Sequence, residues 1–80
     1  MKLETAFAVV AKAIANEFAY DAARVTPETT VADVAGWDSF SNGLLMMAIE
    51  TELGVVLPLD QLLEAPNVGS MAEIIARAAE

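Results

Sequence analysis

The hydroxyl of Ser39 has the strongest chemical claim in this chain. It stands in Gly36-Trp37-Asp38-Ser39-Phe40, after a long polar stretch and at the mouth of an apolar segment that runs to about Leu53. Asp-Ser ahead of such a segment has two readings. Both residue types are preferred helix caps, so either can serve the fold alone. An accessible hydroxyl at a helix mouth can also be a reactive group in its own right, in a place where the first-turn amides and the positive end of the helix dipole favour an anion. The chain has no histidine and no cysteine, which removes Ser-His and Cys-His nucleophile systems, disulfides and the usual zinc sites. Its carboxylates are scattered rather than paired at a cleft, leaving little for acid–base catalysis. Any thiol chemistry has to arrive on a cofactor.

The elements that must present Ser39 fit one small domain, residues 1–80. At 80 residues, such a domain buries only about 60% of its unfolded surface. Leu3, Phe7, Val10, Ile14 and Phe18 recur at spacings of four and three, widened by Ala11 and Ala15, and predict a helix over about 3–19. Thr26-Pro27-Glu28-Thr29-Thr30 interrupts the pattern, and Pro27 can open a short turn. Val25, Val31, Val34 and Trp37 are expected to tack this long connection onto the core. A second helix is predicted over about 39–53, ended by Gly54 as a left-handed cap. Val55-Val56-Leu57-Pro58 reads as extended, Asp60 as the cap of a one-turn helix to about Glu64, and Ser70-Met71-Ala72-Glu73 as a capping box opening a last helix to about Ala79. The fold class is all-α: a four-helix bundle of three longer helices and one short one, with a long first connection.

The second helix is unusual. At ~100° per residue, Leu45, Met46, Ile49 and Leu53 share one arc, while Phe40, Leu44, Met47 and Ala48 share another on roughly the opposite side. Ser41 and Glu52 divide the arcs along one edge, Gly43 and Glu50 along the other. A small bundle needs one arc for its core, so the other is expected to be a docking surface unless this helix is central.

Charge is equally uneven. Four bases oppose twelve acids, for a net charge of −8, and residues 25–76 hold eight of the acids and no base. This field disfavours nucleic acid and anionic membranes and steers basic protein partners, though it also serves solubility. No stretch approaches the ~18 apolar residues of a membrane span. Lys2 and the short apolar run Thr5 to Ala11 make a poor signal peptide, given Glu4, so the expected location is cytoplasmic.

Asp38-Ser39-Phe40 resembles the Asp-Ser-Leu attachment site of acyl carrier proteins, with Phe40 in place of leucine, and the resemblance covers nearly the whole chain. It implies the acyl carrier type of bundle and a 4′-phosphopantetheine arm, derived from coenzyme A, on Ser39. It implies support of the modification by Asp38, often through a magnesium ion in the family. It also implies a carrier that holds acyl thioesters without catalysing a reaction itself. The partners would be a phosphopantetheinyl transferase and acyl-loading and acyl-using enzymes with basic or apolar docking surfaces. They would meet Phe40, Leu44, Met47, Ala48, Glu50 and Thr51 on a monomeric carrier. Many fatty-acid carriers have acids at the positions of Ser41 and Leu44, and Thr51 interrupts the acidic cluster here. Recognition is therefore expected to be more apolar, and exchange with a general fatty-acid synthase is not expected. The implied pathway is a fatty-acid, polyketide or related one of specialised type. Trp37 before Asp-Ser is similar to stand-alone carriers of dedicated pathways.

Two other readings stay open. The cargo could be aminoacyl or peptidyl, loaded by an adenylating enzyme, although Gly36-Trp37-Asp38-Ser39 departs from the Gly-Gly-(His/Asp)-Ser of many peptidyl carriers. An unmodified acidic adaptor that binds a basic partner would use the same charge pattern. Ser41 does not follow an aspartate, and Ser70 has a sufficient use as a cap, so Ser39 is the candidate acceptor.

Overall fold

In the computed structural model, which describes Met1 to Glu80, the chain is all-helical. Four helices, α1 (Leu3–Phe18), α2 (Ser39–Leu53), α3 (Leu59–Glu64) and α4 (Val68–Ala78), form the expected bundle of three longer helices and one short one. None is long and apolar enough to cross a membrane. α1 packs most extensively on α4, and α2 lies between α1 and α3. The core joins Val10 and Ile14 of α1, Leu45, Met46 and Ile49 of α2, Leu62 of α3, and Val68, Met71 and Ile75 of α4.

Three local expectations are corrected. The buried face of α1 runs through Ala6, Val10, Ala11 and Ile14, whereas Leu3 is exposed and Phe7 only partly buried. Small residues on this face let α1 approach α4, and the larger pair is pushed to the rim. There Leu3 and Phe7 line a cleft with Pro27, Gly69 and Ala72. Asp60 does not cap α3, which begins at Leu59 after Pro58, so Asp60 sits in the first turn. Its charge is still favourable there, next to the positive end of the helix. Ser70 does not cap α4. Asn67 does, its Oδ1 accepting the Ser70 amide at 2.9 Å. The earlier start has a tertiary cause: the Val68 and Gly69 amides donate to Thr29 O at 2.9 Å and Pro27 O at 2.8 Å. Carbonyls of the long connection thus satisfy first-turn donors of α4 that would otherwise lack partners.

The connection between α1 and α2 is ordered by its own contacts. Single 3₁₀ turns occupy Ala22–Arg24 and Val31–Asp33. Thr29 is buried and its Oγ1 accepts the Thr26 amide at 2.9 Å, closing the turn around Pro27. Val25, Val34 and Trp37 are buried and Val31 is partly so, as their apolar character led one to expect. The Trp37 ring stacks on Phe18 at 6.0 Å between centroids and 26° between planes. This contact ties the end of α1 to the residue immediately before Asp38.

Candidate functional site

Asp38 has extended backbone and stands outside the first turn of α2, as a cap must. Its Oδ1 accepts the Ser41 amide at 2.8 Å, and its own amide donates to Ser41 Oγ at 2.8 Å. The two residues form a reciprocal capping box. The Ser41 hydroxyl donates to Gly36 O at 2.9 Å, with Asp38 Oδ1 at 3.1 Å as a second acceptor. The Ser41 amide, and next its hydroxyl, hold the exposed Asp38 carboxyl below its ordinary pKa. Both donors stabilise the charged form.

The serines are therefore separated by their surroundings. Ser41 is committed to the box. Ser70 gives its amide to Asn67 and lies in the first turn of α4. Ser39 is the first residue of α2, is exposed, and its hydroxyl takes no part in the capping network around it. Capping thus belongs to Asp38, and the fold makes no use of the Ser39 oxygen.

Behind this terminus lies a buried polar contact that periodicity alone did not reveal. Trp37 Nε1–H donates to Asn42 Oδ1 at 3.0 Å, with Trp37 4% and Asn42 2% exposed. Asn42 shares the inner face of α2 with Leu45, Met46 and Ile49. A polar residue at i, i+3, i+4, i+7 spacing with three core residues, five positions after the only tryptophan, was the available signal. This bond and the Phe18 stack hold the turn at Gly36, where φ is +89°, against the start of α2.

The two arcs of α2 separate as their angles require. Leu45, Met46 and Ile49 are buried and Leu53 is partly buried, while Phe40 (76%), Leu44 (48%) and Met47 (53%) are exposed, as is Ala48. Ser41, Gly43 and Glu50 fall at the edges, partly covered. The outer arc is thus surplus to the core. Thr51 lies on the exposed side, its hydroxyl donating to Met47 O at 3.1 Å. Glu50 has an internal use that sequence reasoning missed, its Oε2 accepting the Leu57 amide at 2.7 Å and fastening the extended segment before α3. An extended apolar segment whose amides need acceptors, a few residues past a helical acid, was the only hint of it.

Comparison with known proteins bears on this geometry directly. The phosphopantetheine attachment site family matches residues 8–75. The acyl carrier protein of Helicobacter pylori (strain G27) is 39% identical over 62 residues, 78% of this chain and 80% of that protein. The chain belongs to the acyl carrier protein family. Acyl carrier protein MbtL of Mycolicibacterium paratuberculosis is 41% identical over 56 residues, 70% of this chain and 63% of the relative. MbtL of Mycobacterium tuberculosis (strain H37Rv) has the same identity over 67% of its length. The match therefore spans a little under two thirds of the Mycolicibacterium paratuberculosis protein.

The cofactor of this carrier family is 4′-phosphopantetheine. The residues at the head of α2 fit such a group: an exposed hydroxyl with no internal partner, preceded by an exposed carboxylate. The dipole of a helix of 15 residues stands behind them. When bound, the group supplies the thiol that the polypeptide lacks. In such a carrier the surrounding side chains need only hold the hydroxyl outward.

Proposed function

We propose that this protein carries acyl intermediates as thioesters on a 4′-phosphopantetheine arm joined to Ser39, presenting them to the enzymes of a fatty-acid, polyketide or related specialised pathway. The observation that carries this reading is the division of labour at the head of α2: Asp38 and Ser41 cap the helix, and Ser39 is left exposed and unengaged. In the modification, Ser39 Oγ bonds to the phosphorus of coenzyme A that bears the pantetheine. The bond from that phosphorus to the adenosine 3′,5′-bisphosphate leaving group breaks, and the serine proton passes to a base of the transferase. Asp38 stands at the entrance as a fixed carboxylate for that enzyme or its metal ion.

The exposed arc of Phe40, Leu44, Met47 and Ala48, with Thr51 beside it, forms the docking surface for enzymes that load and use the cargo. Its lack of acids at positions 41 and 44 makes this contact more apolar than that of acidic carriers. Glu50 is partly covered and bonded to Leu57, which makes it first a brace for the segment before α3. The protein itself presents the cargo and leaves the chemistry to its partners.

Incubation with coenzyme A and a broad-specificity phosphopantetheinyl transferase, followed by intact-mass measurement, tests the assignment. The expected result is one added phosphopantetheine on the wild type and none on Ser39→Ala. No gain on the wild type, or a gain that persists in Ser39→Ala, overturns it. Loading the modified protein with acyl donors in one reaction and amino acids plus an adenylating enzyme in another then separates acyl from aminoacyl cargo.

A further inference from the structure

We propose that Ser41 is a positioning residue for modification at Ser39, acting through the two chain segments its hydroxyl holds together. This rests on Ser39 being the attachment point. Ser41 Oγ accepts the Asp38 amide at 2.8 Å and donates to Gly36 O at 2.9 Å. One hydroxyl thus links the turn at Gly36, the cap at Asp38 and the first turn of α2, and Ser39 lies inside that loop of contacts. The Ser41 amide independently holds Asp38 Oδ1 at 2.8 Å. Asp38 is therefore fixed from two directions, with a single oxygen engaged by both groups of Ser41.

The consequence concerns orientation more than folding. A transferase has to bring one phosphorus into line with Ser39 Oγ and place its own groups on Asp38. Misplacement of reacting groups by about 1 Å can cost on the order of 100-fold in rate. If Ser41 loses its hydroxyl, the amide half of the box survives and α2 still begins at Ser39. The Asp38 amide and the Gly36 carbonyl, both on exposed residues, pass to water. The helix keeps its start, while the turn leading into it loses its latch. Ser41 touches neither the incoming coenzyme A nor its phosphorus in this scheme; it works only through Asp38 and Gly36.

The experiment compares initial rates of phosphopantetheine transfer to the wild type, Ser41→Ala, Ser41→Thr and Asn67→Ala. Asn67→Ala removes a similar cap from α4 and controls for a general loss of stability. The expected result is a kcat/KM for Ser41→Ala lower by about tenfold or more, recovery to near wild type in Ser41→Thr, which restores a hydroxyl, and little change in Asn67→Ala. Equal rates for Ser41→Ala and the wild type overturn the proposal. So does an equal slowing in Asn67→Ala, or failure of threonine to restore the rate in a variant that unfolds at the wild-type temperature. A wild type that gains no mass at all defeats the attachment reading itself, which distinguishes the two failures.

Discussion

Replacing Asn42 by leucine should destabilise the protein through an atom that is not mutated, the indole N–H of Trp37. Asn42 is 2% exposed and Trp37 4% exposed, and their bond of 3.0 Å lies in the interior. Leucine keeps a similar volume and improves the apolar match with Leu45, Met46 and Ile49. What remains is a buried donor without an acceptor, which costs about 1–3 kcal/mol. A domain of this size has roughly 4–12 kcal/mol in total, so the loss is a large fraction. Each kcal/mol is worth about 4–8 °C in a domain of this length, and a central loss of about 2 kcal/mol lowers the midpoint by roughly 8–16 °C. The decisive measurement is a double-mutant cycle with Trp37→Phe, using urea unfolding followed by far-UV circular dichroism. In the phenylalanine background no donor is orphaned and Asn42 Oδ1 has already lost its partner, so Asn42→Leu should be neutral to stabilising there. The expected coupling is about 1 kcal/mol or more. Equal costs of Asn42→Leu in both backgrounds would refute the reasoning, because the bond would then contribute nothing that either partner requires.

Two further outcomes follow from the same helix. Gly43→Ala should stabilise the protein by up to about 1 kcal/mol, because a Cβ built there meets no atom within 4 Å. Thermal unfolding checks it, and a lowered midpoint would show that this glycine serves the fold. Asp38 is held below its ordinary pKa by Ser41, so its cap contributes stability that is full above the unfolded aspartate value of about 3.9 and is lost as pH falls through the lower folded value. In an NMR titration of the Asp38 carboxyl carbon and the Ser41 amide, both should move together below that value, and a midpoint at or above it would contradict the capping geometry.

What could be seen in the sequence divides by the range of the interactions responsible. The four helices, the Gly54 cap and the split of α2 follow from periodicity and local backbone preference, and the structure shows each of them. Phe40, Leu44 and Met47 are outside because the opposite arc already faces the core. The errors arise where a distant segment decides. Ser70 and Asn67 are both competent caps, and the choice between them is made by carbonyls at Pro27 and Thr29, about 40 residues earlier in the chain. Leu3 and Phe7 satisfy the helical stripe, yet close packing on α4 favours Ala6 in the interior. Glu50 could be read only as a surface acid until the chain folded back and placed the Leu57 amide against it. At the candidate site, the motif singled out Ser39 and Asp38, and the structure shows Ser39 exposed and Asp38 capping α2. The roles of Ser41 and Asn42 required knowing that Gly36 and Trp37 turn back onto the helix they precede.

With the exposed arc as the proposed docking surface, its size sets how tightly a partner is held. Full burial of one large apolar side chain is worth about 1.5–3 kcal/mol, but Leu44 and Met47 have already surrendered about half of their surface to the protein. With Phe40 at 76%, the three retain roughly 3–5 kcal/mol to give. Association costs about 4–15 kcal/mol, so these contacts alone leave a partner weakly bound. The acidic stretch from 25 to 76 adds what the arc lacks without reversing that balance. A net charge of −8 accelerates encounter with a basic enzyme surface over distances near the Debye length, while rim charges add little to residence time. Under the proposed function, fast arrival combined with fast departure suits delivery of one cargo to several enzymes in turn. A larger apolar arc would hold one partner longer at the expense of the next.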